Sequence, residues 1–114
     1  MAVKVREVQA IFGGQHVRFR LHNRVRGDLE TQLGVSAAAM RQVILAEAYD
    51  ADDVLKVLAA ASLPPIGLDD GGASVRAVLQ RRPPETYAPL AVKVLTAFLT
   101  GLEIADSTFD EDAR

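Results

Sequence analysis

No cysteine and no tryptophan occur among the 114 residues, and the aromatic side chains are limited to four phenylalanines and two tyrosines. Without cysteine the chain can form no disulfide, thiolate nucleophile, iron–sulfur cluster or thiolate zinc site. His16 and His22 are the only imidazoles. They share the polar side of one expected strand but lie roughly 20 Å apart at strand spacing, too far for one metal ion. No apolar run approaches the roughly 18 residues of a membrane helix, and charges in the opening Met-Ala-Val-Lys-Val-Arg-Glu interrupt any signal-peptide core. A soluble, cytoplasmic protein with no membrane partner is expected. The pairs Gly13-Gly14 and Gly71-Gly72 fall short of the fingerprints that place several backbone amides around a phosphate, so no nucleotide cofactor is indicated. No internal repeat of roughly 20–50 residues is present.

What is present suits one folded domain. Apolar residues make up 49% of the chain and charged ones 25%, enough for a core without a metal or covalent staple. The net charge of −2 hides a division along the chain. Residues 1–26 carry six basic side chains against Glu7 alone, whereas residues 27–114 hold seven basic and fourteen acidic ones. Such asymmetry either steers a partner or pairs the two halves of one molecule.

From Gln15 to His22 the chain alternates, with Val17, Phe19 and Leu21 on one side and His16, Arg18, Arg20 and His22 on the other, the pattern of a half-buried strand. Arg6–Phe12 supports the same period, and Gly13-Gly14 can adopt the positive φ angles of a two-residue hairpin turn. The implied register sets Phe12 against Gln15, Ala10 against Val17 and Val8 against Phe19, with Glu7 facing Arg20. Val8, Ala10, Phe12, Val17, Phe19 and Leu21 then share one apolar face, which needs helices above it.

Asn23 can cap a helix over 24–33 with Val25, Leu29 and Leu33 inward and Gly34 closing it. Gly27 inside that helix marks either a cost or a close approach to the hairpin. Ser36 caps a second helix carrying Met40, Val43, Ile44 and Ala48 inward and ending near Tyr49. Asp50, Asp52 and Asp53 open a third, where the helix dipole favours negative charge. Val54, Leu55, Leu58 and Ala61 form its stripe before Pro64-Pro65 stops it. After the turn-rich Ile66–Gly72, a short helix over 73–82 places Val75, Val78 and Leu79 on one face and ends at Pro83-Pro84. The last helix reaches Gly101. Pro89 restricts its regular part to a start near 87–89. The fold class is therefore α+β, an N-terminal antiparallel β-hairpin packed against about five short helices. One domain is expected over 1–102, with a flexible acidic tail over 103–114.

Nothing in this pattern assembles catalysis. Neither histidine is placed by sequence near Ser36, Ser62, Ser74 or Ser107, so no nucleophile with its general base is readable and no enzyme is expected. The Asp50, Asp52 and Asp53 cluster lacks the glycine and bidentate glutamate of a calcium loop and reads as helix capping; Asp69-Asp70-Gly71-Gly72 reads as a turn. No metal or other cofactor is expected. Two surfaces remain as binding candidates. Tyr87, Leu90, Val94 and Phe98 lie on the broad apolar face of the last helix, which serves either as core or as a groove for an amphipathic segment. Arg18, Arg20, Arg24 and Arg26 form a basic ribbon that can meet phosphates, although the overall acidity and Glu7 argue against a nucleic-acid role.

The segments Ala10-Ile-Phe-Gly-Gly-Gln-His-Val-Arg-Phe-Arg-Leu21, Gly27-Asp-Leu-Glu-Thr-Gln-Leu-Gly-Val-Ser36 and Leu90-Ala-Val-Lys-Val-Leu-Thr-Ala-Phe-Leu-Thr-Gly101 together resemble the gene-transfer-agent family of small phage tail proteins. The likeness is one of order and spacing over 6–101: a Gly-containing hairpin, a Leu-Glu helix ending in Leu-Gly-Val, a short-helix region, and a last helix closing near Phe-Leu-x-Gly. The arginine-rich strand, Pro83-Pro84 and the acidic tail depart from that pattern. The resemblance implies a tail-assembly chaperone, because tail-tube subunits are dominated by β-sandwiches or barrels and only one hairpin is readable here. Its implied partners are the helical tape-measure protein and the tail tube protein, with a homo-oligomer as a further expectation. The implied setting is the cytoplasm of the bacterial host, with the protein absent from the mature particle. The alternatives are a structural tail component and a small DNA-binding regulator using the basic hairpin.

Overall fold

The computed structural model describes residues 7–12, 15–63, 73–100 and 109–112. Strands β1 (Val8–Phe12) and β2 (Gln15–Phe19) pair antiparallel in the expected register, Val8 with Phe19, Ala10 with Val17 and Phe12 with Gln15. All six of those side chains except Gln15 are buried, so the alternation does decide which face turns inward. The Gly13-Gly14 turn lies outside the described residues. β2 stops at Phe19, short of the expected His22, because the chain there is bound sideways. Arg20 N–H donates to the Ala61 carbonyl at 2.7 Å, and Leu63 N–H donates to the Arg18 carbonyl at 3.0 Å. The segment Ala61–Leu63 thereby covers part of the outer edge of β2.

Five helices follow among the described residues. α1 (Asn23–Leu33) begins one residue earlier than expected: His22 occupies the cap position without a side-chain bond, and Asn23 is already helical. α2 (Ala37–Leu45) is capped as expected by Ser36, whose Oγ accepts from the Ala39 N–H at 3.1 Å. The Glu30 carboxylate also accepts the Ala37 N–H at 2.7 Å, tying α1 to α2. α3 (Ala51–Ala61) starts with the Asp53 carboxylate accepting the Asp50 N–H at 3.0 Å, so the acidic cluster does the work of a helix start. α4 is Ala73–Leu79, three residues shorter than the expected 73–82. The expected turn over 66–72 lies outside the described residues.

Two glycines in α1 and at its end behave oppositely. Gly34 closes the helix at φ +76°, where a side chain is strained, while a methyl group at Gly27 would meet nothing within 4 Å. The close approach entertained for Gly27 is therefore absent. Gly27→Ala is expected to stabilise by about 0.5–1 kcal/mol, and Gly34→Ala to destabilise by about 1–2 kcal/mol. Urea midpoints of the two variants, shifting in opposite directions, check this.

α5 (Pro84–Thr100) is longer than its expected span and begins with Pro84 in the first turn. Pro89 sits in its second turn, not its first, which corrects the expected start near 87–89. The helix buries one broad face, with contacts to β1, α2 and α3. Tyr87, Leu90, Ala91, Val94, Leu95, Ala97 and Phe98 are all buried. Its apolar surface is broad because three elements pack against it.

The expected flexible tail also needs correction where it is described. Phe109–Asp110 form β3, which pairs parallel to β1 through Ala10↔Phe109 and Ile11↔Asp110, giving the sheet order β2-β1-β3. Residues 103–108 and 113–114 of that tail lie outside the described residues. Phe109 joins Phe12, Phe19 and Tyr87 in an aromatic cluster, with Phe12 edge-on to Phe19 at 6.0 Å and to Tyr87 at 5.7 Å. Among the described residues, no helix is long and apolar enough to cross a membrane.

Candidate functional site

The end of α2 sets up the most distinctive surface. Glu47 N–H donates to the Ile44 carbonyl and Ala48 N–H to the Val43 carbonyl, each at 3.0 Å, the paired bonds that close a helix through a left-handed residue. That residue is Glu47, at φ +58°, where glycine would be at ease. The helix therefore ends at Leu45 and not near Tyr49, and Ala48, expected inward, is exposed. Leu45 is left 50% exposed.

Opposite lies the first half of α5, where Pro89 has no N–H to give the Glu85 carbonyl and its ring crowds that turn. Between the two helix ends is an open cleft of about 780 Å³. Ile44, Ala88 and Val92 contribute to its lining, together with Leu45, Tyr49, Pro84 and Pro89. Glu47, Glu85 and Lys93 supply its charge. Burial and then the charges of Glu85 and Glu47 raise the pKa of the Tyr49 hydroxyl, so the two carboxylates gather at the tyrosine end. Farther along, Arg41 Nε donates to Thr96 Oγ1 at 2.8 Å and pins α2 to α5. The cleft can hold apolar side chains and favours a basic flank.

The sequence-derived candidates fall elsewhere. Tyr87, Leu90, Val94 and Phe98 are 0%, 0%, 1% and 7% exposed, so they are core residues and not a docking face. The covering by β1, α2 and α3 is the physical reason. Arg18 is exposed and pairs with Glu7 at 3.2 Å, diagonally and not through the expected partner Arg20. Arg26 approaches Glu30 at 3.9 Å along α1. Arg20 and Arg24 are exposed and flank His22, whose pKa is lowered first by burial and then by those two cations. His16 is exposed, and β2 does not extend to His22. Ser62 Oγ is spent on the Ala59 carbonyl at 2.9 Å. Among the described residues, no group of three metal-ligating side chains is assembled.

Sequence reasoning missed Leu45, Glu47 and Pro89 as one surface. A signal was present for Leu45, since a stripe through Met40 and Ile44 turns the next residue about 100° away. None was present for Glu47, because a non-glycine residue in a left-handed cap leaves no compositional mark. No family model, curated protein or solved structure matches the chain.

Proposed function

We propose that the protein is an assembly chaperone of a phage-like tail, binding tape-measure or tail-tube subunits during morphogenesis. The reading starts from the resemblance in the hairpin, the Leu-Gly-Val helix end and the Phe-Leu-x-Gly helix end. The observation that carries it further is the cleft, where a half-exposed leucine, a left-handed glutamate and a proline inside a helix converge on one apolar surface. Backbone strain persists where surrounding structure enforces it, and it concentrates at binding surfaces. A helical client segment with apolar anchors and a basic flank suits this lining and its carboxylates. Such holding is reversible and needs no cofactor, which fits a role in the bacterial cytoplasm before the particle matures.

Co-expression with tape-measure and tube proteins followed by pull-down tests the reading. The unmodified chain is expected to retain one of them. Leu45→Lys suits the helix C-terminus electrostatically but places an ammonium among the apolar anchors. Its retention of the client should fall at least about tenfold, the effect of losing an interface hot spot. Failure of the unmodified chain to retain either protein overturns the proposal. A structural tail component would instead persist in purified particles, which mass spectrometry of those particles detects.

A further inference from the structure

Beyond the cleft, the seam between α2 and α5 continues as one outward face. On α5, Glu85, Pro89, Val92, Thr96 and Leu99 recur at alternating steps of four and three residues, the spacing of a helix seam. These five are exposed or half-buried, while the fully buried side chains of α5 occupy its other side. Arg41 and Leu45 stand beside them on α2, four residues apart and so on one side of that helix. Arg41 Nε donates to Thr96 Oγ1, and Leu45 lines the cleft with Pro89 and Val92. Leu45 and Leu99 are 50% and 42% exposed, so both ends of the seam present large apolar side chains to water.

The charges on this face are arranged in opposed sets. Glu47 and Glu85 gather at the Tyr49 end, whereas Lys93 and Arg41 lie farther along the seam. Among the described residues, neither of those carboxylates is in an ion pair. Glu85 and Lys93 are two helical turns apart, about 12 Å along the axis, and Pro89 stands midway between them. A second copy turned about a twofold axis at Pro89 lays its α5 antiparallel to the first. Glu85 of each copy then falls opposite Lys93 of the other, and the pair forms twice. Leu45, Pro89 and Val92 lie nearest the axis and the charges at the rim, the usual anatomy of an interface. A face of one sign suits a foreign partner of the other sign; one whose two signs are exchanged by a twofold rotation suits its own copy.

We propose that the α2–α5 face is the interface of a twofold symmetric homodimer. Apolar contacts about Leu45 and Pro89 hold it, and Glu85–Lys93 pairs between the copies set its register. The dimer covers the cleft, so a client enters only by displacing the second copy. That consequence rests on the client reading of the cleft; the dimer does not.

Sedimentation equilibrium of the full-length protein at about 100 μM should give twice the 12.3 kDa chain mass. Glu85→Lys and Lys93→Glu each set like charges together twice, and each is expected to weaken dimerisation at least about tenfold. Mixing the two variants restores both pairs between unlike chains, and the Glu85→Lys/Lys93→Glu double variant restores them between like chains. Both should return the dimer. An unmodified chain that is monomeric at about 100 μM overturns the proposal. So does a dimer that neither single variant weakens, or one that they weaken without rescue on mixing. Should a charge variant lose its helical circular dichroism, cross-linking decides, because the chain has no cysteine of its own. A short bis-maleimide is expected to join two copies of Pro89→Cys and not two copies of Ala77→Cys, at an exposed position of α4. No cross-link at position 89, or equal yields at the two positions, overturns the proposal. A monomer that still retains a tail protein overturns the dimer and leaves the client reading standing; a dimer that retains neither tail protein does the reverse.

Discussion

Phe19→Ala is expected to lower stability by about 3–5 kcal/mol, the cost of truncating a fully buried phenylalanine. Phe19 is 0% exposed, pairs with Val8 across the hairpin, and sets its ring edge-on to Phe12 at 6.0 Å. Its backbone also bridges to Ser62, just past the end of α3. The ring therefore sits at the seam between the hairpin and the helical layer, where neighbours from separate elements cannot all collapse into the space left behind. Domains of this size are stable by about 5–15 kcal/mol, so the loss consumes a large share of the total. His16→Ala, on the exposed face of the same strand, should stay within about 0.5 kcal/mol. Urea unfolding with unchanged slope measures both. A Phe19→Ala cost below about 1 kcal/mol would contradict the buried seam.

Glu111→Ala carries the second large effect. It leaves the Tyr87 hydroxyl buried without its acceptor and unties Phe109–Asp112 from Arg81 and Arg82, for a loss of about 1–3 kcal/mol. The two arginines, 54% and 42% exposed, can regain water, which keeps the cost below that of stranding a buried charge. The Tyr87 pKa is raised well above the ordinary 10.0, first by burial and then by the hydrogen bond and charge of Glu111. Below pH 10 the phenol is protonated in both folded and unfolded chains. Above it the unfolded chain releases the proton while the native state retains it, so stability falls as pH rises. Removing Glu111 relieves part of that native-state penalty. The stability gap between Glu111→Ala and the unmodified protein should accordingly narrow above pH 10, and ultraviolet titration should show Tyr87 ionising earlier. A gap that widens with alkalinity would contradict the contact.

How far the fold could be read in advance depended on whether its determinants were local. The hairpin register followed from strict alternation, because a one-residue slip would have turned Val17 and Phe19 to water. Ser36 at the start of α2 and Gly34 at the end of α1 were legible because capping is chemistry within a few residues. Pro89 misled, since packing against α2, α3 and β1 stabilises α5 enough to accommodate a proline in its second turn. β3 was hidden by its acidic surroundings. Its partner β1 is almost a hundred positions away, and a parallel pairing leaves no hairpin signature. The breadth of the α5 apolar face suggested both core and docking surface. Only the placement of β1, α2 and α3 around Tyr87, Leu90, Val94 and Phe98 decides for core, and it moves the candidate docking surface to Leu45.

Site-specific photo-cross-linking during co-expression with the tail proteins tests that placement most directly. A photoreactive residue at Leu45 should yield an adduct with the tape-measure or tube protein, while one at the exposed Ala77 on α4 should yield none. Adducts from position 77 without any from position 45, or none from either, would contradict a client held in the cleft.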